Sequence, residues 1–428
     1  MDAEPLNPAL RAAGAALLAA VLAGCHPSRA QEPKEPYRTP ISAHLPVVLG
    51  EFRLVAVGDV MMHADVKKAA EDQGGFEALW GDVAPLFKGA DLAFANLETP
   101  VAPTTGRPGR PFQFNAPEQL PAALKASGLT VLSTANNHAY DQGRQGVKET
   151  VDRLKEAKLI GLGSGETKAA AEAPRIVEAH GVKVGLLGYT DLFNLDLNRK
   201  ADEPWVRQLE LETAVAAVKA LRVEADAVIV SVHWGDEYHH QPTKRHRQIA
   251  EALVAAGADL VLGHHPHVLQ PMDLVEAGGR KGVVAYSLGN FISNQDRMWR
   301  ADLFPVAAGD NRDGAALMAT FSKCRMPDGS VKVILGEVRY EPLWVENNWR
   351  DAKGSGTKRD IRVIRIREAL DAVRRELDTL TDPVEGPKVQ PDGKARKAAI
   401  VEKQERLRTL LLRKGRISAV AGAAFEAR

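Results

Sequence analysis

Residues 244–267 read KRHRQIAEALVAAGADLVLGHHPH, and this one stretch holds the pattern from which the rest of the fold follows. An amphipathic, alanine-rich segment at 244–256 predicts a helix that stops at Gly257. The apolar run 259–262 predicts a buried strand. The chain leaves that strand through Gly263-His264-His265-Pro266-His267, where aliphatic residues give way to imidazoles. The same alternation recurs from residue 52 onward. Apolar runs at 52–57, 90–95, 130–134, 183–189, 227–232 and 282–286 predict strands, and 146–157 and 209–223 predict helices. Alternation of this kind specifies an α/β fold. No internal repeat of solenoid type is present.

Polar residues collect where the strands stop. Asp59 follows the first in Gly58-Asp59-Val60-Met61-Met62-His63, and Glu98 follows the second in Asn96-Leu97-Glu98-Thr99-Pro100. Asn136, Asn137 and His138 follow the third, with Asp141 and Gly143 just beyond. His233 opens His233-Trp234-Gly235-Asp236-Glu237-Tyr238 after the run 227–232. Open α/β sheets bind ligands beyond the carboxyl ends of their strands, so these sets are expected to converge. A satisfied core histidine explains any one of them. It does not explain the set, because buried polar groups without partners are costly.

The donors are carboxylate and amide oxygens and imidazole nitrogens, with no thiolate. That mixture suits zinc, manganese or iron better than a calcium cage or a cysteine-rich zinc site. Glu98 can bridge two cations, and the supply of donors exceeds one tetrahedral site. Two divalent cations would polarise a phosphoryl or carbonyl oxygen and activate water near neutral pH. The chain has no His-Glu-x-x-His helix, Gly-x-Ser-x-Gly elbow or P-loop. Ser287, in Tyr286-Ser287-Leu288-Gly289-Asn290-Phe291, is expected to be structural or to line the pocket. Gly161-Leu162-Gly163-Ser164-Gly165 lacks the full dinucleotide fingerprint and reads as a turn.

A chain of 428 residues with 45% hydrophobic and 26% charged residues has the composition of a soluble globular protein, and its formal charge of +1 does not mark a nucleic-acid binder. The apolar run 12–23 has the length of a signal-peptide core and ends in Leu22-Ala23-Gly24-Cys25, which resembles a bacterial lipobox. Arg11 is the one basic residue ahead of that run. The expected organisation is a lipoprotein signal peptide (1–25), a proline-rich tether (26–50), a main domain (51–345) and a charged, mainly helical extension (346–428). Such a protein would sit lipid-anchored at the bacterial cell envelope, facing the periplasm or the exterior. Cys324 is expected to be a buried free thiol. In the tail, 331–340 reads as a strand, Ile366, Leu370, Val373, Leu377 and Leu380 recur at helical spacing, and 395–413 reads as a basic helix. The two helices are expected as a solvated pair packed on the main domain, with contact to a membrane surface or an acidic partner as the alternative.

The ordered series GDVMMH, NLETP, NNHAYDQG, HWGDEY, GADLVLGHHPHVLQ and YSLGNF resembles the CapA family of capsule or poly-γ-glutamate synthesis proteins, from residue 54 to about residue 291. That family is related to calcineurin-like metallophosphoesterases. The resemblance implies a four-layer α/β-β-α sandwich, here with a C-terminal helical extension, and a dinuclear metal centre. By position, one metal would take Asp59, Glu98 and His267, and the other Glu98, Asn137, His233 and His265. His138 would be the general acid that protonates a leaving group. Met61 occupies the place of the Asp-x-His histidine, which makes His63 a further candidate ligand. Glu98 stands for the usual aspartate and Asn136 for a glycine.

Glu237 and Tyr238 are expected on the substrate side, and His239 and His240 in a solvated loop. His264 is expected behind the ligands or facing solvent. The activity implied is a metal-dependent, phosphoesterase-like hydrolysis in the synthesis of capsule, poly-γ-glutamate or another cell-surface polymer. The partners implied are that polymer or a phosphoester substrate, membrane synthase subunits and the lipid anchor. A non-catalytic polymer-binding or scaffolding subunit is one alternative, and a general phosphodiesterase is another.

Overall fold

A computed structural model describes residues 45–381 and 393–427. The expected signal segment with Cys25, most of the tether and the 382–392 loop lie outside the described residues. In chain order the strands begin β1 (Val47–Val60), β2 (Leu92–Leu97), β3 (Val131–Ser133), β4 (Ile160–Leu162), β5 (Ser164–Gly165) and β6 (Arg175–Ala179). Next come β7 (Val182–Thr190), β8 (Trp205–Val206), β9 (Ala227–His233), β10 (Leu260–His264), β11 (Met272–Ala277) and β12 (Arg280–Ala285). The last are β13 (Asn290–Ile292), β14 (Asp313–Arg325), β15 (Val331–Asn347) and β16 (Ile361–Arg365).

One sheet has the order β16-β15-β14-β1-β2-β3-β4, with β13 pairing onto the end of β1. In it β1 to β4 run parallel, and β14 to β16 are antiparallel additions. A second has the order β11-β12-β10-β9-β7-β6, parallel at its centre and antiparallel at both edges, and β5 and β8 pair as a small third.

The two-residue period of a strand sorts the apolar side chains into layers. Phe52, Leu54 and Ala56 of β1 join Leu92 and Phe94 of β2, and Leu186, Ile229, Leu260 and Leu262 of the other sheet, in one cluster between the sheets. The intervening Val55 and Val57 belong to a second cluster with Val66, Ala69 and Ala70 of the helix Ala64–Gln73. On the second sheet, Val228, Val230 and Val232 join Ala214, Val218, Ile249 and Leu253 of the helices Leu211–Glu224 and Lys244–Ala256. The layers are therefore helix, sheet, sheet, helix. Both faces of each sheet are covered, which is why β2 and β9 are buried along their whole length. Each fully buried Val, Leu or Ile contributes about 1.5–3 kcal/mol to this core.

The helix Lys244–Ala256 shows how local chemistry fixes the ends. The Thr243 hydroxyl accepts from the His246 amide, and Gly257 at φ +129° closes the last turn before β10 starts.

Two boundaries differ from the sequence expectation. β1 starts at Val47, so the last residues of the expected tether are in the sheet, with Val47 and Val48 opposite Arg325 and the buried Cys324. Beyond residue 345, β16 pairs with β15 from Leu343↔Arg365 to Asn347↔Ile361. Its apolar run is interrupted by Arg362 and closed by Arg365, too short a period-two signal to stand out. The helices Ile366–Thr381 and Gly393–Ala421 press Leu370, Val373, Leu410 and Ile417 into the inter-sheet cluster. Within the basic helix Arg413 is fully buried rather than solvated, because Asp310 and Asp313 wait for it in the body of the fold.

Candidate metal centre

The carboxyl ends of β1, β2, β3, β9 and β10 deliver the polar residues to one place. Register does the aligning: Asp59 lies opposite Asn96 across β1–β2 and opposite Asn290 across β1–β13, while His264 lies opposite His233 across β10–β9. Glycine lets the strands close up just before the ligands begin. A Cβ at Gly58 would sit 1.8 Å from the Gly289 carbonyl oxygen, and one at Gly263 would sit 2.0 Å from that of Tyr286. His265 and His267 both take left-handed backbone, φ +99° and +57°. For non-glycine residues that conformation costs on the order of 1–3 kcal/mol each and tends to be stored at functional sites.

Asp59, Glu98 and His267 bring one oxygen or nitrogen each within 4.8 Å of one another, and so do Glu98, His233 and His265. Glu98 belongs to both groups. Its Oε1 lies 3.6 Å from His233 Nε2 and 3.6 Å from His267 Nε2. Asn137 Oδ1 lies 2.9 Å from His233 Nε2, beside the second group. Glu237 forms a third group with His265 and His267, at the more exposed side. His63 belongs to none of the three. Its Nδ1 accepts the Asn294 amide at 3.3 Å, and its ring meets the edge of Phe114.

Charge and hydrogen bonding test whether a cation fits here. Glu98 is fully buried, and neither carboxylate oxygen has a hydrogen-bond partner. Burial, then the neighbouring Asp59 charge, pushes its pKa well above the usual carboxylate range. Burial acts in the same direction on Asp59, but the His264 and His267 rings, 3.5 and 3.3 Å from its oxygens, outweigh it and hold Asp59 low. Burial holds His233 well below its ordinary value and His265 down to about 3, so both imidazoles are neutral with lone pairs to give. His265 Nδ1 likewise has no partner. Buried acceptors in this number without donors are what a divalent metal site consists of. The residues fit the metal.

Several supporting residues escape the sequence pattern. Asn96 Nδ2 donates to Asp59 Oδ1 at 2.8 Å and lies 3.3 Å from His233 Nδ1, so it joins the two sheets behind the ligands. Asn290 Oδ1 lies 3.2 Å from His267 Nδ1. Both stand in the quoted motifs, and strand register opposite Asp59 is the signal that finds them. Asp141 Oδ2 accepts His138 Nδ1 at 2.8 Å and the Phe114 amide at 2.6 Å, while the Phe114 ring packs 4.5 Å from the His138 ring.

Of the two places expected for His264, the structure gives the one behind the ligands and not the one facing solvent. This residue is fully buried, 3.5 Å from Asp59 Oδ1 and stacked on Phe94, because it is still the last residue of β10 and points between the sheets. His240 is not merely solvated either: its Nε2 lies 2.8 Å from Asp310 Oδ2, which the tail helix brings into a shared network through Arg416. Ser287 is structural, donating to the Val268 carbonyl at 2.7 Å. Gly163, at φ +77° between β4 and β5, makes the turn. His138, Glu237 and Tyr238 line a cavity of about 440 Å³ above His267.

The layers form a helix–sheet–sheet–helix α/β sandwich, and the carboxylate–imidazole cluster at its strand ends has the donor set of a divalent-metal site. The chain belongs to a particular family, the bacterial capsule synthesis protein PGA_cap, whose model matches residues 53–295. It is 33% identical over 253 residues to the capsule biosynthesis protein CapA of Bacillus anthracis, covering 57% of this chain and 60% of that one. It is 34% identical over 242 residues to the PGA biosynthesis protein CapA of Bacillus subtilis, covering 56% and 62%. The chain thus spans about three fifths of the length of these relatives. Among solved structures, the NAD nucleotidase of Haemophilus influenzae aligns over 85% of this chain and 61% of its own, at 13% identity and a TM-score of 0.41.

Proposed function

We propose that the protein is a divalent-metal hydrolase of the bacterial cell envelope that acts on a surface polymer or a phosphoester precursor of one. The observation that carries this reading is Glu98, fully buried with two unpartnered oxygens and shared between two groups of ligands. Asp59, Glu98 and His267 would hold one cation, and Glu98, Asn137, His233 and His265 a second, drawn from manganese, zinc or iron. When bound, the metals supply Lewis acidity toward a phosphoryl or carbonyl oxygen and toward water.

The remaining chemistry belongs to the protein. Asp141 accepts from His138 Nδ1, which fixes the ring and leaves Nε2 as the atom that gives a proton to a leaving group. Phe114 packs on the same ring and limits water there. The capsule context is supported by family membership and by the names of the relatives, including a probable polyglutamine synthesis accessory protein of Mycobacterium tuberculosis at 27% identity over 232 residues.

The test is a panel of phosphomonoester, phosphodiester and γ-glutamyl substrates with metal-loaded protein. At least one should turn over, and His138→Ala should slow it by about 10²-fold or more while metal content stays constant. Metal retained without turnover on any of them would favour the accessory, polymer-binding reading instead. For the anchoring, Cys25→Ser should shift the protein from the membrane to the soluble fraction of the native host. Unchanged fractionation would count against the lipobox.

A further inference from the structure

We propose that Lys67 and Arg110 form a subsite for one carboxylate of the substrate, separate from the group presented to the metal ligands. The subsite deepens the hydrolase reading and rests on it only for what happens at the neighbouring centre.

The cavity of about 440 Å³ extends from His267 and His138 to the loop that carries Arg110 and Phe112. Lys67 enters its wall from the helix Ala64–Gln73. Its Nζ donates to the Asn115 carbonyl at 3.1 Å, and no carboxylate pairs with it among the described residues. Glu71, one turn along the same helix, influences it without pairing, while half-burial lowers its pKa. An ammonium has three donors, so two are left for a ligand. Arg110 is similar. Its Nε donates to Gln113 Oε1 at 2.8 Å, and the two terminal nitrogens are left as a fork of the kind that matches a carboxylate.

Arg297, the third cation of the wall, is already committed. It pairs with Asp65 at 3.5 Å and stacks over Trp349, and Asp65 takes Arg359 as well. Lys67, Arg110 and Arg297 against Asp65 and Glu237 leave a surplus of one positive charge in the lining. With Arg297 held by Asp65, Lys67 and Arg110 are the lining cations left to meet an anion, and the planar fork of Arg110 fits the two oxygens of a carboxylate.

The apolar part of the mouth fits the same ligand. Phe112 is 86% exposed and Tyr238 is 54% exposed, and both hold left-handed backbone at φ +61° and +67°. Two exposed rings on strained turns would cover the aliphatic stem of a carboxylate-bearing chain. The loop stands on a fixed base. Asn115 Nδ2 donates to the Ala102 and Arg107 carbonyls at 2.9 Å each, and Gln142 Oε1 accepts the Arg107 amide at 2.7 Å.

A fluorescein-labelled glutamate oligomer, titrated against the full metal-loaded chain and followed by anisotropy, tests the subsite. Lys67→Met and Arg110→Gln should each weaken binding about 10-fold, with affinity falling as salt rises, and Lys67→Arg should restore most of it. Equally labelled neutral dextran should not bind. Unchanged oligomer affinity in both variants, or dextran binding as tightly, overturns the subsite. Arg110 stands on an exposed loop, so its variant keeps the test valid if Lys67→Met folds poorly. Failure of the hydrolase reading looks different: no turnover, with oligomer binding intact and still lost in the two variants.

Discussion

Glu98→Ala should yield a protein that no longer retains divalent metal through purification, whereas the parent protein should carry it. Both ligand groups contain Glu98, so a single side chain removes a donor from each. The parent should also melt lower once chelated, because a ligand at about 1,000 times its Kd stabilises the folded state by roughly 4 kcal/mol. Elemental analysis with paired melts in the presence and absence of chelator measures both. A parent protein that is free of metal as purified, and melts identically either way, would remove the metal centre.

The pH dependence of the chelated protein gives a second check, with a definite sign. Burial, then the Asp59 charge, raises Glu98 in the metal-free fold, so protons favour the folded state. Stability is then complete below the ordinary carboxylate value of 4.5 and falls as pH rises toward the elevated folded one. Asp59 acts in the other direction but only below its ordinary 3.8, where its depressed value makes stability fall as pH falls. Above pH 4.5 Asp59 therefore adds no slope, and the share that Glu98 contributes is a fall of stability with rising pH, which Glu98→Gln in the chelated protein should remove. Added metal should flatten it.

The strand ends were legible in sequence because each is marked twice, by an apolar run and by the polar residue that stops it. Asp59, Glu98, His233 and His265 needed no coordinates to be suspected. Convergence follows from a rule of α/β sheets, but the pairing of partners does not. Asn96 and Asn290 look like ordinary turn amides until register places both opposite Asp59. For His264 local reasoning leaves two places open, behind the ligands or toward solvent, and its backbone, still part of β10, decides for the first. Lys67 and Phe114 come from segments without any motif, brought to the cavity only by the folding of helix Ala64–Gln73 and the loop after β2. The tail hides most. A run of basic residues at helical spacing reads as solvated, since nothing near Arg413 in sequence shows that two aspartates a hundred residues earlier are its partners.

Those aspartates make Arg413→Leu the most damaging single change expected outside the metal centre. The guanidinium is fully buried; Nε donates to Asp313 Oδ1 at 2.9 Å, Nη2 to Asp313 Oδ2 and, at 2.8 Å, to Asp310 Oδ1, and Nη1 to the Val306 carbonyl at 2.6 Å. It lies 5.2 Å from the Trp299 ring and 4.9 Å from that of Trp344. Leucine would leave Asp313 buried without its cation and Asp310 with Arg416 and His240 alone, a loss of about 3–5 kcal/mol by the precedent of broken buried pairs. Arg413→Lys keeps the charge but not the fork, and should recover only part.

The damage should also reach the active end. Asp313 begins β14, and Asn290, which touches His267, donates to the Asn311 carbonyl at 2.8 Å. Chemical denaturation should show the loss, and metal affinity should fall with it.

Arg413→Met combined with Asp313→Leu and Asp310→Asn removes the stranded charges together, and should regain much of the stability that Arg413→Leu loses. The network has a pH signature through His240, whose pKa is raised chiefly by its hydrogen bond to Asp310. Its contribution is complete below the ordinary 6.5 and is lost as pH rises through the higher folded value. His240→Gln should therefore flatten the loss of stability on the alkaline side of neutrality. If it does not, and Arg413→Leu melts with the parent, the tail helix is an ornament on the sandwich rather than its latch.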